Sequence, residues 1–412
     1  MVRKVLRKAR QHMARIDHYN KAPQGSIQGD MMSDTSAVFL SEQEVMIRDS
    51  ARKVANEVVA TTAAARDQSQ AWPHDELKSV GELGFMGMLV PDEYGGSGAS
   101  FVEYCLAIEE FAAADAGFAT IVHVHNSLGL TLMWSASEEQ KRKYLPKLAS
   151  GEHIGAFLLT EPHAGSDTAA FRTSARRDGT EYVLNGSKQF ISNGSEAGLA
   201  IVLAVTDPTA GKRGKSLFLV DPKQPGYEVA RVESKYGQHT AHLAQIELKD
   251  CRVPAGNLIG AEGAGYQQTM ALLSHGRVAI AAQAVGVARA ALEAALRYAK
   301  DREAYGAPII NLQAVSFDLA DMAMHVEIAH QYVLHAARLV DANVPCAKEA
   351  SMAKLFASEM AEKVCSTALQ LHGGYGYLKD FPVERYCRDV RVCKIYEGTS
   401  HIQKLIIARS LA

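Results

Sequence analysis

The chain has 412 residues, 47% of them apolar and 22% charged, with a formal net charge of -2 at pH 7. That length allows two or three domains with a sizeable core, and the near-neutral balance argues against nucleic acid or an anionic membrane surface as a partner. No apolar run reaches the length of a transmembrane helix, and six cysteines without a C-x-x-C pair fit reduced thiols in a cytosol-like compartment.

The first 31 residues stand apart. Arg3, Lys4, Arg7, Lys8, Arg10 and Arg15 form a basic, weakly amphipathic stretch, followed by a Gly- and Gln-containing linker from Ala22 to Asp30. It reads as an extension outside the fold, upstream of a start at Met31 or Met32, and with it a bacterial-type cytoplasmic location. A mitochondrial targeting segment, with a matrix location, and a membrane-surface helix are the alternatives.

From about Leu40 to Gly151 the signals are helical. Ser41 with Glu44 makes a capping box for a helix through about Ala65. Trp72-Pro73 breaks the chain, His74 to Gly84 forms a short helix, and Val90 to Gly98 is a loop by composition. Phe101 to Ala114 has Tyr104, Ile108 and Phe111 on one face, and Ser137 with Gln140 starts another helix toward Leu148.

Between about His153 and Arg252 the hydrophobic period changes. Glu181 to Leu184, Asn185-Gly186 and Ser187 to Ile191 predict a β-hairpin with a tight turn at Asn-Gly. Leu199 to Val205, Leu217 to Val220 and Ala244 to Leu248 are further strands, so a small β-barrel is expected. Phe157 to Asp167 is a strand running into a loop of small residues and hydroxyls, able to bring backbone N–H groups to a flat polar ring or a phosphate.

From about Gly265 the chain is helical again. Val278 to Ala299, Val315 to Val340 and Ala350 to Leu371 each carry an apolar face, and with a final helix after Thr399 they suffice for a four-helix bundle. His325, His330 and His335 lie five apart, each rotated from the last, so they do not suggest a shared metal site. Between the last two helical patterns, Glu397 sits on the turn Glu-Gly-Thr-Ser. A desolvated carboxylate on such a turn suits a general base; a solvated Glu beside an N-cap at Thr399 or Ser400 is the alternative.

Ile395-Tyr396-Glu397-Gly398-Thr399-Ser400 resembles the active-site signature of the acyl-CoA dehydrogenases. Thr160-Glu161-Pro162-His163-Ala164-Gly165-Ser166-Asp167, Arg302-Glu303-Ala304-Tyr305-Gly306 with Gln313, and Gln370-Leu371-His372-Gly373-Gly374-Tyr375-Gly376 resemble three further family stretches. The likeness runs from about Leu40 to the C-terminus. It implies an α+β multidomain fold: an all-α domain over 32–152, a middle β-barrel domain over 153–262 and a C-terminal four-helix bundle over 263–412.

The resemblance implies FAD as cofactor. Phe157, Leu159, Thr160, Gly165 and Ser166, with Phe190, Ile191 and Ser192, would surround the flavin and its phosphate. Arg302, Tyr305, Ile309, Leu312 and Gln313, with Gln370, Leu371, Gly373 and Gly374, would hold the nucleotide half in a neighbouring subunit, which implies a homo-oligomer of the tetramer, dimer-of-dimers kind. Thr399 and His401 complete the cofactor set. Ser166, Ser274, Arg277, Tyr396 and Gly398 would meet the acyl-CoA substrate. The departures are His163 in place of Gly, Phe190 in place of Trp, Ser192 in place of Thr, Ser274 in place of Asp, and His239 and Ala241 in Lys235 to His242.

The activity implied is α,β-dehydrogenation of a short- to medium-chain acyl-CoA to the trans-2-enoyl-CoA. Glu397 would take the α-proton, and an electron-transfer flavoprotein would receive the electrons. Gly276 stands where some family members place their base, which leaves Glu397 as the candidate. A branched, cyclic or aromatic acyl group stays open as substrate. So do an enoyl-CoA reductase, an oxidase of the same fold and a non-enzymatic helical scaffold.

Overall fold

The computed structural model describes residues 39–411, so the basic N-terminal extension lies outside the described residues. The first helix, α1 (Glu42–Val54), begins at the Ser41/Glu44 capping box and runs through a π-turn (Ala55–Val59) into α2 (Ala60–Ser69). After α3 (His74–Glu82) come α4 (Phe101–Ala114), α5 (Ala116–Ser135) and α6 (Glu138–Ala149), the last capped by Ser137 and Gln140. Residues 116–135 carry no distinct helical period in the sequence. The reason is burial: α5 is packed on nearly every side from Ala116 to Leu132, so no polar stripe marks a solvent face.

The middle domain is one curled sheet of β1 (Gly155–Leu158), β2 (Ser174–Asp178), β3 (Glu181–Ser192), β4 (Leu199–Val205), β5 (Lys215–Val220), β6 (Tyr227–Val232), β7 (Leu243–Pro254) and β8 (Leu258–Ile259). The strand order is β6-β7-β3-β2-β4-β5-β8, with β1 parallel to β4. The sheet wraps a core that includes Leu158, Tyr182, Val202, Phe218, Ile246 and Val253, a barrel whose edges β6 and β8 do not pair with each other.

The hairpin expected at Asn185-Gly186 is not there. Residues 181–192 form a single strand, β3, which pairs with both β2 and β7, and the turn lies instead at Gly179-Thr180. Asn185 marks a bulge: the register slips between Leu184 and Gly186, and its side chain pairs with Asp250, whose N–H donates to Asn185 Oδ1 at 2.8 Å. Tertiary pairing with β7 overrides the local turn signal.

A parallel bridge between Lys215 and Ala264 hands the chain from the barrel to α7 (Gly265–Asp301), 37 residues long. Then follow α8 (Gln313–Asp341), α9 (Ala347–Leu371), α10 (Val383–Val390) and α11 (Ser400–Arg409). By length and composition α7 could cross a membrane, contrary to the reading that no run is long enough, but 89% of its most apolar stretch is buried in the fold. It is the central core helix. α8 and α9 pack on it from the C-terminal side, and α4 packs on it from the N-terminal domain, so one apolar core serves both helical regions.

Charges cross that core in pairs. Arg289 of α7 reaches Glu110 of α4 at 2.7 Å, Arg52 of α1 reaches the same carboxylate at 3.0 Å, and His330 of α8 meets Glu109 at 2.8 Å. The neighbouring acids hold the His330 imidazole above its ordinary pKa despite the burial that opposes it. Each of these buried charges faces an opposite one, which ties four helices together.

Candidate active site

Glu397 stands on a turn that is gripped from three sides. Before it, Arg391–Lys394 make a 3-10 turn, and the Tyr396 hydroxyl donates to Gln283 Oε1 of α7 at 2.9 Å. After it, the Thr399 side chain caps α11 by accepting from the Ile402 N–H. From α9, Lys354 Nζ donates to the Gly398 carbonyl at 2.8 Å. Gln403 Nε2 donates to the carbonyls of Glu397 (3.1 Å) and Gly398 (2.7 Å). The turn needs this grip because Glu397 has φ of 53°, a left-handed conformation that costs a non-glycine residue roughly 1–2 kcal/mol.

The turn aims the carboxyl at α7 where that helix has no side chain. A Cβ on Gly276 would lie 2.8 Å from Glu397 Oε2 and 3.0 Å from Cδ. The side chain keeps 21% of its surface exposed, yet Oε2 is buried without a hydrogen-bond partner. Burial pushes the carboxyl pKa up to about 7, against the pull of Arg277 and Lys354. Arg277, one residue along α7, is 7% exposed, and its Nε is also without a partner. Among the described residues no backbone acceptor takes the Glu397 N–H. The result is an acid that titrates near neutrality, beside an unused N–H and an unused guanidinium nitrogen, which suits proton abstraction next to a developing oxyanion.

Two residues that the sequence reading did not single out face the same carboxyl. His123 of α5 places Nε2 4.0 Å from Glu397 Oε1, and its Nδ1 lies 2.8 Å from the Tyr104 hydroxyl of α4. No spacing rule marks His123. Lys354 was readable, because it interrupts the apolar face Ala350, Ala353, Ala357 of α9, and it is fully buried.

The barrel supplies a second wall. A bulge in β3 between Lys188 and Ile191 turns Phe190 outward with φ of 59° and leaves the residue 58% exposed. Gln189 N–H donates to the Thr160 carbonyl at 2.8 Å, which sets the exit of β1 beside this bulge. Phe157, Leu159, Thr160 and Ser192 are half-buried around it, and Gly165 and Ser166 are exposed on the loop beyond. Ile191 differs: its side chain is in the barrel core, so only its backbone faces outward. The buried pair Lys188–Glu161 at 2.9 Å anchors the loop, and Glu161 also accepts the Arg172 and Thr173 N–H groups. His163 folds back to the Ala170 carbonyl at 3.0 Å. A large exposed ring beside hydroxyls and loop N–H groups fits a flat aromatic cofactor such as a flavin.

Helix α5 joins the two walls. Asn193, just past β3, donates to the carbonyls of Ile121 on α5 (3.2 Å) and Gly155 on β1 (3.1 Å); two residues beyond Ile121 is His123, facing Glu397.

The other residues expected to hold the cofactor lie elsewhere. Arg302, Ile309, Gln370, Leu371, Gly373 and Gly374 line a cavity of about 430 Å³ with Tyr298 and Tyr375. Tyr305 is 95% exposed, and Leu312, Gln313 and His401 are exposed as well. Ser274 bonds back to the Met270 carbonyl within α7 at 3.1 Å. Arg302 is 26 residues along α7 and its exit from Gly276, about 39 Å at 1.5 Å per residue. The cavity is thus remote from Glu397 within one chain.

Family profiles described as the acyl-CoA dehydrogenase N-terminal, middle and C-terminal domains match residues 41–152, 156–251 and 263–412. An acyl-CoA dehydrogenase of Bacillus subtilis is 46% identical over 91% of this chain and 99% of its own length. The mitochondrial short-chain specific acyl-CoA dehydrogenase of Mus musculus is 41% identical over 91% of each. A chain solved in work on the electron transferring flavoprotein of Acidaminococcus fermentans superposes with a TM-score of 0.89 at 42% identity, over 90% of this chain and 98% of that one. Butyryl-CoA dehydrogenase of Megasphaera elsdenii superposes with a TM-score of 0.88 at 37% identity, over 90% and 98%. With three domain profiles spanning the fold in order, and relatives matched nearly end to end, this chain belongs to the acyl-CoA dehydrogenase family of FAD-dependent oxidoreductases and resembles its short-chain branch.

Proposed function

We propose that the chain converts a short- to medium-chain acyl-CoA to its trans-2-enoyl-CoA, with Glu397 as the base. The observation that carries this reading is the Glu397 carboxyl itself: desolvated to a pKa of about 7, with Oε2 unpartnered and held against the bare backbone at Gly276. The unpaired Glu397 N–H is a ready donor for the thioester carbonyl, which makes the α-hydrogen acidic enough for a carboxylate. Arg277 helps keep the base ionised at neutral pH. FAD, when bound, supplies the two-electron acceptor for the β-hydride. Phe190, Thr160 and Ser192 would hold its ring, and Ser166 its phosphate.

Arg302, at the far end of α7 from Gly276, and the Gln370–Tyr375 turn, which lines the same cavity, sit too far from Glu397 to share one cofactor with the barrel wall of the same chain. They serve the cofactor of a second copy, so the working unit is a homo-oligomer, a dimer or a dimer of dimers. The similarity to a chain solved with an electron transferring flavoprotein as its subject supports such a protein as electron acceptor.

The test is anaerobic titration of the FAD-loaded protein with butyryl-, hexanoyl-, octanoyl-, isovaleryl- and glutaryl-CoA. Bleaching of the flavin by the straight short chains supports the reading. Bleaching by none of the thioesters contradicts it.

A further inference from the structure

The His123 ring has no role in the chemistry described so far, and its surroundings leave it few states. It is 3% exposed, and burial lowers its pKa to about 4, so it is neutral at pH 7 and carries one ring proton. Burial also raises the Tyr104 phenol well above its ordinary value, so Tyr104 keeps its proton. That proton has two acceptors in reach: His123 Nδ1 at 2.8 Å and the His123 carbonyl at 3.5 Å. The shorter contact makes Nδ1 the acceptor, which puts the ring proton on Nε2.

Nε2 has no partner, and it points at Glu397 Oε1 across 4.0 Å. The gap is too narrow for a bridging water, which needs about 4.5 Å between the groups it joins. It exceeds a direct hydrogen bond by about 1 Å, a distance that a small rotation of the Glu397 side chain closes. Leaving a buried N–H unmade is costly, and a carboxylate oxygen is the acceptor in front of it.

We propose that His123 is a positioning residue for the base: its Nε2–H holds Oε1 of the ionised Glu397, which turns Oε2 toward the substrate, and Tyr104 fixes the tautomer that makes this possible. The proposal rests on Glu397 being the base. When Glu397 takes up a proton the hydrogen bond to Oε1 weakens, so His123 favours the ionised form before the reaction. The other groups facing the carboxyl are Tyr104 from α4, Arg277 from α7 and Lys354 from α9; both cations favour the same form.

The carboxyl titration can be read directly, without turnover, as the infrared difference between a protein and the same protein carrying Glu397→Gln. In the FAD-loaded enzyme, His123→Phe keeps the ring volume and removes the donor. It should raise the Glu397 midpoint so that proton affinity increases about tenfold, a full pH unit. His123→Gln, which can still donate, should recover most of that shift, and Tyr104→Phe should give a smaller shift in the same direction. The proposal is overturned if His123→Phe leaves the midpoint unmoved, or if Gln and Phe shift it equally. If His123→Phe does not fold, an unmoved midpoint in Tyr104→Phe overturns the tautomer argument by itself. A Glu397→Gln enzyme that still bleaches with thioesters would defeat the assignment of the base instead, and the infrared midpoints would be unaffected by that outcome.

Discussion

Gly276 and Glu397 are fitted to each other: an ideal Cβ at position 276 would lie 2.8 Å from Oε2, 3.0 Å from Cδ and 3.2 Å from Oε1. The absence of a side chain on α7 is what gives the carboxyl its place. Gly276 is an interior helical position, where alanine is favoured over glycine by about 1 kcal/mol. Gly276→Ala should therefore fold as well as the parent and bind FAD, yet displace the carboxyl. A misplacement of this size costs on the order of 100-fold in rate. Stopped-flow flavin reduction, with FAD content measured alongside, separates the two effects.

Lys354 presents the opposite balance. Its ammonium is fully buried, forms no ion pair among the described residues, and donates to the Gly398 carbonyl; burial lowers its pKa to about 8. A buried charge with no counter-ion in contact weakens a fold, so Lys354→Met should melt at the same temperature or higher. The same change frees the Glu397 turn and removes a cation that keeps the base ionised. Flavin reduction should slow on the order of tenfold. Calorimetry and reduction kinetics on one preparation check both halves, and a large fall in melting temperature would contradict the reading.

Arg302 opens the cavity at the end of α7, and its guanidinium lies 5.8 Å from the centre of the Tyr375 ring. Replacing it with alanine removes the charged clamp of the proposed nucleotide-half site. Arg302→Ala should bind FAD about tenfold more weakly while keeping its helical content. The ratio of flavin to protein absorbance after gel filtration measures this. A full complement of FAD in the variant would remove Arg302 from the cofactor site.

Glu397 also links stability to pH. Its folded pKa of about 7 lies above the ordinary 4.5. Below about pH 4.5 the carboxyl is neutral in both states and its burial is harmless. As pH rises through 7 the folded protein must hold an anion that the unfolded chain solvates, and stability on the order of 3 kcal/mol is lost. Glu397→Gln is neutral at every pH. It should melt well above the parent at pH 8 and close to it at pH 5. Equal differences at both values would mean that the carboxyl is not desolvated.

Local signals in the sequence carried much of the architecture. The capping boxes at Ser41 and Ser137 open helices in the structure, and the apolar faces of 278–299, 315–340 and 350–371 lie in α7, α8 and α9. The losses share a cause. Asn185-Gly186 has turn chemistry but is held in a long strand by β7, and α5 hides because it is buried all round. At the site, the turn at Glu397 was visible because its residues are contiguous. His123 and Tyr104 reach the same carboxyl from α5 and α4, and only the packing of those helices on α7 brings them there.

The most direct test of the account is the anaerobic reaction of FAD-loaded Glu397→Gln with butyryl-CoA. The amide keeps the size and placement of the side chain and cannot accept the α-proton. The account predicts a yellow, folded protein that binds the thioester and shows no flavin bleaching over a period in which the parent is fully reduced. Bleaching at a rate comparable to the parent would contradict it.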